Sequence, residues 1–172
     1  ESGNIVVSDI NRGLYILRMG EVDGVGGDFN ADEVYDCEDI DALVGAIVAG
    51  ENDLSFDLTG DGTLDIADVD AWLAEAGAAN LSSGNAYLRG DANLDGVVDV
   101  SDFGVWNTFK FTQTGAWCEA DFNADGVTDT SDFNAWNANK FQSSNDAAPV
   151  PEPGTGILAF FGIGSLLLRR RN

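Results

Sequence analysis

Aspartates spaced at fixed intervals are the residues of this chain with the clearest chemistry. A twelve-residue pattern recurs at residues 28–39, 57–68, 91–102 and 121–132, called loops one to four. Calcium in proteins takes about 6 to 8 oxygen ligands, and loops of this spacing supply them from positions 1, 3, 5 and 12, the carbonyl of 7 and often a water at 9. The pattern predicts up to four Ca²⁺ sites, with these residues: Asp28, Asn30, Asp32, Val34, Asp36, Asp39, Asp57, Thr59, Asp61, Thr63, Asp65, Asp68, Asp91, Asn93, Asp95, Val97, Asp99, Asp102, Asp121, Asn123, Asp125, Val127, Asp129 and Asp132.

The four loops do not suit calcium equally. Position 6 favours glycine because the backbone turns there with positive φ, and loop one has Glu33 instead. A side chain in that conformation costs about 1 to 2 kcal/mol. In loop two, the Thr59 hydroxyl at position 3 donates less charge than an amide or carboxylate would. We expect loop one to bind most weakly and loop two somewhat weakly, the alternative for each loop being a solvated Asx turn.

Charge and composition restrict the function class. The chain has 30 acidic and 8 basic residues, a formal charge of -22 and no histidine. A field of that sign repels nucleic acid, and the lack of histidine removes the commonest general base. We therefore expect no enzyme and no catalytic residues. Crowding so many carboxylates together is repulsive, so folding and calcium binding should be linked.

The two cysteines, Cys37 and Cys118, lie far apart in the sequence without a CxxC spacing. Zinc would need more ligands than this pair offers. In an oxidising compartment the two could form one long-range disulfide, and the alternative is two buried free thiols.

A short amphipathic pattern follows each loop and predicts a helix. The first has Ile40, Leu43, Val44, Ile47 and Val48 on one face, the second Val69, Trp72, Leu73 and Ala76, and the last two begin with Phe103 and Trp106, and with Phe133 and Trp136. Ser101 and Ser131 are predicted N-caps. Before the loops, Ile5–Val7 and Leu14–Leu17 predict a hairpin or two edge strands. Either would serve as a lid over the helical core or as a strand offered to a neighbouring molecule.

The repeats predict the domain organisation. The 21 residues from Asp91 and from Asp121 match at 13 positions, which indicates duplication. We predict a mainly α fold with a small β part, in which four EF-hand-like loop-helix units form two pairs. The predicted segments are an N-terminal β segment at 1–24, a first pair at 25–79, a linker at 80–89, a second pair at 90–141, a Pro/Gly/Ser spacer at 142–156 and an apolar tail with a basic end at 157–172.

With aspartate at position 12 throughout and one helix after each loop, the units resemble dockerin type I repeats. This resemblance covers about two thirds of the chain. It implies loop-helix units packed about a pseudo-twofold axis, bound Ca²⁺, and a cohesin-like partner recognised by loop positions 10 and 11. Those positions are held here by Cys37 and Glu38, Ile66 and Ala67, Val100 and Ser101, and Thr130 and Ser131.

The C-terminus resembles a PEP-CTERM sorting signal, because Pro151, Glu152 and Pro153 precede an apolar run at 157–168 and the basic residues Arg169–Arg171. The resemblance implies transient membrane contact and an exosortase-type sorting protease that cuts near Pro-Glu-Pro. The apolar run is shorter than the ~20 residues of a comfortable span, and its alternative is a C-terminal core helix. No secretory leader opens the chain at Glu1, and we expect that one was removed on export or lies outside this sequence.

Two hypotheses for function follow. The first is a secreted, calcium-stabilised structural protein of the bacterial cell surface or extracellular matrix, which copies of itself could extend into a filament through the N-terminal strands. The alternative is a dockerin-type module that docks onto a cohesin-like protein. An enzyme is a third class, disfavoured because the carboxylates are committed to the loops.

Overall fold

The fold is known from a computed structural model, which describes residues 4–9, 13–18 and 26–146. Two N-terminal strands, β1 (Asn4–Asp9) and β2 (Gly13–Arg18), pair antiparallel, with Asn4 opposite Arg18 and Asp9 opposite Gly13. The two predicted strands are thereby confirmed, and they pair with each other as in the hairpin alternative. Their role as a lid or as an offered strand stays a prediction.

Helices make up most of the remaining regular structure, as the sequence predicts. The helices are α1 (Cys37–Ala49), α2 (Ile66–Asn80), α3 (Val100–Phe109) and α4 (Thr130–Asn139), and two short strands, β3 (Thr112–Gln113) and β4 (Val127–Thr128), pair antiparallel. Single 3-10 turns occur at Leu54–Phe56 and Trp117–Glu119. Each α-helix begins inside a loop, at position 10, so loop and helix form one continuous unit.

The helix N-caps differ from the prediction. The cap of α3 is Asp99 and that of α4 is Asp129, not Ser101 and Ser131. Each serine instead donates its backbone N–H to the capping carboxylate at 2.6 Å. A carboxylate at the positive end of a helix dipole is a stronger acceptor than a hydroxyl, which explains the preference.

The core is built from the predicted helix faces. On α1 the side chains of Ile40, Leu43 and Val44 are fully buried, and on α2 those of Val69, Trp72, Leu73 and Ala76 are buried as well. Val48 was expected on the same face but is 40% exposed, because α1 ends one residue later and leaves its last turn at the rim. Between α3 and α4, the rings of Phe103, Trp106, Phe133 and Trp136 contact one another.

We call the predicted pairs at 25–79 and 90–141 the first and second halves. A single cluster of buried hydrophobic residues includes side chains from both halves. Cys37 on α1 is bonded to Cys118, which confirms the predicted disulfide. The Cys118 N–H also donates to the Asp41 carboxylate at 2.9 Å. Helix α1 therefore contacts the turn that leads into loop four.

The C-terminal end of the linker at 80–89 packs against both of the predicted pairs. Tyr87 is 4% exposed and its N–H donates to the Leu73 carbonyl at 3.0 Å. The Arg89 guanidinium pairs with Asp70 of α2 at 2.6 Å and donates to the Phe122 carbonyl in loop four at 3.0 Å. One linker side chain thus ties α2 to the last loop.

Candidate metal centres

All four loops share one hydrogen bond that closes the turn. The N–H of position 6 donates to the position-1 carboxylate at 2.8 to 2.9 Å, in the pairs Glu33–Asp28, Gly62–Asp57, Gly96–Asp91 and Gly126–Asp121. The glycines have φ of 84 to 87°, and Glu33 has φ of 70°. Loop one therefore makes the same turn as the others, at the cost of a strained Glu33.

Position 4 also requires positive φ, which the sequence reasoning missed. Its φ is 60° at Ala31, 71° at Gly60, and 56° at both Leu94 and Ala124. Of these four residues, only Gly60 has a residue type that would have indicated a positive φ, because glycine adopts this conformation without strain.

The position-12 aspartates lie at the base of the loops, and Asp39, Asp68, Asp102 and Asp132 are all 0% exposed. One carboxylate oxygen of each accepts the N–H of position 2 or 3, at 2.8 to 3.0 Å at closest. The other accepts the N–H of position 9, at 2.7 to 3.2 Å. An ionised carboxylate has about four acceptor sites, so these bonds leave capacity for a cation.

The side chains of positions 1 and 3 converge on the backbone N–H of position 5. In loop three, the Asp95 N–H lies 3.2 Å from an Asp91 carboxylate oxygen and 3.1 Å from the Asn93 amide oxygen. Loop four repeats both distances with Asp121, Asn123 and Asp125, and loop one repeats the pattern with Asp28, Asn30 and Asp32. The predicted ligand side chains of positions 1 and 3 therefore lie on the same backbone N–H in these three loops.

The position-9 aspartates cap the helices that follow the loops. The carboxylates of Asp36, Asp65, Asp99 and Asp129 each accept the N–H two residues later, at 2.6 to 2.8 Å, and so cap the helices. Their direct role is to start each helix. A water-mediated role at the metal stays a prediction.

The carbonyl of position 7 is oriented by its neighbours. In loop three, the Gly96 carbonyl accepts from Ser144 at 2.7 Å and the Val98 carbonyl from Phe141 at 2.6 Å. Successive carbonyls of an extended strand point to opposite sides, so the Val97 carbonyl between them points away from this partner. Loop four has the same arrangement around Val127, with Thr114 and Phe111 as donors.

Burial raises the pKa of the position-1 and position-12 carboxylates of loops three and four. It raises the pKa of Asp91 to about 7, helped by the charges of Asp102 and Asp95, and the pKa of Asp121 to about 6, helped by Asp132. Among residues 26–146 the one ion pair joins Arg89 to Asp70, outside the loops. Buried anions are costly unless a cation neutralises them.

The donor set fits calcium in kind and in charge. Each loop offers carboxylates at positions 1, 5 and 12, a neutral oxygen at position 3 and a carbonyl at position 7, which are the hard oxygen ligands that Ca²⁺ takes. Within the described ranges, no three Asp, Glu or Cys side chains lie close enough together to hold a metal by themselves. Carboxylates are only part of the predicted ligand set.

Comparison with known proteins concerns the other end of the chain. Residues 149–171 match the family model of the PEP-CTERM protein-sorting motif. The chain carries a PEP-CTERM signal. The protein is therefore exported to the cell surface or extracellular space and is sorted by an exosortase-type protease. The predicted spacer and tail beyond residue 146, including the alternative of a core helix, lie outside the described residues.

No curated protein and no solved structure matches the chain. None of the helices found between residues 26 and 146 has the length and apolarity needed to cross a membrane. The sorting motif thus assigns the protein to a compartment. A proposal for its function has to account for the four loops.

Proposed function

We propose that the protein is a secreted, calcium-stabilised structural protein of the bacterial cell surface or extracellular matrix, and that it is not an enzyme. The observation that carries the proposal is the full burial of six loop aspartates, Asp39, Asp68, Asp91, Asp102, Asp121 and Asp132. Divalent cations bound at the loops would neutralise them. Four Ca²⁺ would change the formal charge from -22 to about -14, with +8 added.

The residues of each loop have distinct parts in this proposal. Asp91 and Asp102 of loop three are held by backbone N–H groups, so their carboxylates are placed before any ion arrives. Asp99 starts α3 directly behind the loop. Binding at a loop would therefore stabilise a helix and the core face that the helix carries, which supports a structural role for calcium.

Calorimetric titration of the chelator-stripped protein with CaCl₂ tests the proposal, together with circular dichroism in calcium and in EDTA. We expect about four bound ions, or three if the strained loop one does not bind. In EDTA we expect a weaker helical signal and a lower Tm. Asp95→Asn should lose one ion. The matched control, Glu51→Gln at an exposed position outside the loops, should lose none. Absence of binding heat with an unchanged spectrum and Tm in EDTA would reject calcium stabilisation.

Contact with another protein molecule has its own support. Phe111 and Phe141 occupy equivalent positions after α3 and α4, and their side chains are 69% and 72% exposed. Both have positive φ, of 63° and 64°. A bulky residue in that conformation costs about 1 to 2 kcal/mol, and strain combined with exposed aromatic surface is typical of functional positions.

That observation is compatible with two partners. One is another copy of this chain, as in a filament, and the other is a cohesin-like protein, as the dockerin resemblance implies. Sedimentation in saturating calcium distinguishes them. A sedimentation coefficient that increases with protein concentration supports self-assembly. A protein that stays monomeric and is retained by an immobilised cohesin-type β-sandwich supports docking.

A further inference from the structure

In the loops of the second half, backbone groups of positions 6 and 8 form hydrogen bonds with a neighbouring segment of the chain. In loop three, the Gly96 carbonyl accepts from Ser144 at 2.7 Å, and the Val98 N–H donates to the Gln142 carbonyl at 3.0 Å. These partners belong to the segment that follows α4. In loop four, the segment that follows α3 supplies Thr114, whose N–H donates to the Gly126 carbonyl at 3.0 Å. Each loop of the second half is thus fastened by the chain after the other unit's helix.

Loop two is fastened by a side chain instead. The Asn52 amide oxygen accepts from the Leu64 N–H at 3.0 Å, and its amide nitrogen donates to the Gly62 carbonyl at 3.4 Å. Gly62 and Leu64 are positions 6 and 8, the same two groups that main chain holds in loop three. One carboxamide therefore makes the two bonds that Ser144 and Gln142 make elsewhere.

Asn52 also comes from the other unit of its half. It lies just after α1, whose C-cap is Gly50, and twelve residues before Leu64. An asparagine has the reverse relation to loop one: Asn80, the last residue of α2, donates to the Tyr35 carbonyl at 2.8 Å. Tyr35 is position 8 of loop one. In the first half of the protein, asparagine side chains replace the short strands of the second half.

The group between the two fastened positions is Thr63, whose carbonyl is the predicted position-7 ligand. We propose that Asn52 is a positioning residue of the loop-two calcium site, which it serves by orienting the Thr63 carbonyl from the end of the neighbouring unit's helix. This inference rests on the proposed calcium function. Fixing a ligand before binding reduces the ordering cost that the ion must offset, so removing the clamp should weaken the site.

The test is a calcium titration of ¹⁵N-labelled protein, in which the amide signals of Gly62, Gly96 and Gly126 report loops two, three and four separately. In Asn52→Ala the Gly62 signal should saturate at about three- to tenfold higher calcium, since each lost hydrogen bond contributes modestly. The Gly96 and Gly126 signals should saturate as in the wild type. The matched control is Asn134→Ala, the same change at an exposed position of α4.

The outcomes separate the two ideas. If no glycine signal responds to calcium in the wild type, the proposed function fails. If all three respond but the Gly62 midpoint is unchanged in Asn52→Ala, only the clamp fails. Asn52 is exposed, so its truncation removes no core side chain. A measurement on the wild type adds a check that needs no variant: the Leu64 amide should be protected from hydrogen exchange in calcium, and rapid exchange would contradict the bond to Asn52.

Discussion

Removal of the Cys37–Cys118 disulfide should cost the protein a large part of its folding stability. The bond joins the first turn of α1 to the turn before loop four, so it links the two halves of the core. The proposed perturbation is the double substitution Cys37→Ser and Cys118→Ser. Reduction of the wild type is the matched condition, because it breaks the same bond without changing the side chains.

The magnitude follows from the length of chain that the bond closes. The two cysteines are separated by 81 residues. In the chain-entropy description, a loop of that size stabilises the folded state by about 4.5 kcal/mol at 25 °C, by restricting the unfolded chain. A typical domain has a free energy of unfolding of about 5 to 15 kcal/mol, so the loss is a substantial fraction of the total.

Urea unfolding at saturating calcium, followed by tryptophan fluorescence, measures the effect. Trp72 and Trp117 are both fully buried, one in each half of the chain, so their emission should shift on unfolding. We expect a loss of about 3 to 5 kcal/mol in the double variant and a similar loss in the reduced wild type. A loss below about 1 kcal/mol in both would refute the reasoning, because the two halves would then be held together by packing alone.

Two further predictions concern protons and assembly. In EDTA, Tm should rise as the pH falls from about 7.5 to about 5.5, because the raised pKa values of Asp91 and Asp121 make the folded state bind protons more tightly than the unfolded chain. In saturating calcium the sign should reverse, since protons compete with the ion, and a Tm independent of pH in EDTA would contradict the assigned burial. If copies of the chain assemble, deletion of residues 1–20 should abolish assembly by a donated strand, whereas Phe111→Ser with Phe141→Ser should abolish assembly through the exposed rings. Polymers unchanged in electron micrographs of both variants would exclude both routes.

The local features of the loops could be predicted because their causes lie within twelve residues. The spacing of aspartates from Asp91 to Asp102 is enough to predict a turn with a glycine at position 6 and a helix after it, and the structure has both. The buried faces of α1 and α2 follow from the helical period. The N-caps were missed because serine and aspartate are both good caps, and the choice between Ser101 and Asp99 depends on the backbone geometry of the loop.

Sequence by itself therefore determined the oxygen-rich loops, the helices behind them and the sorting signal that ends the chain. Only the tertiary structure decided that the Asn52 side chain clamps loop two, that Arg89 reaches from the linker to the Phe122 carbonyl, and that Cys37 meets Cys118. These contacts join residues up to 81 positions apart. Their partners are chosen by how the helices pack, because the hydrophobic faces that drive packing are non-directional and do not encode which polar groups will meet at their edges.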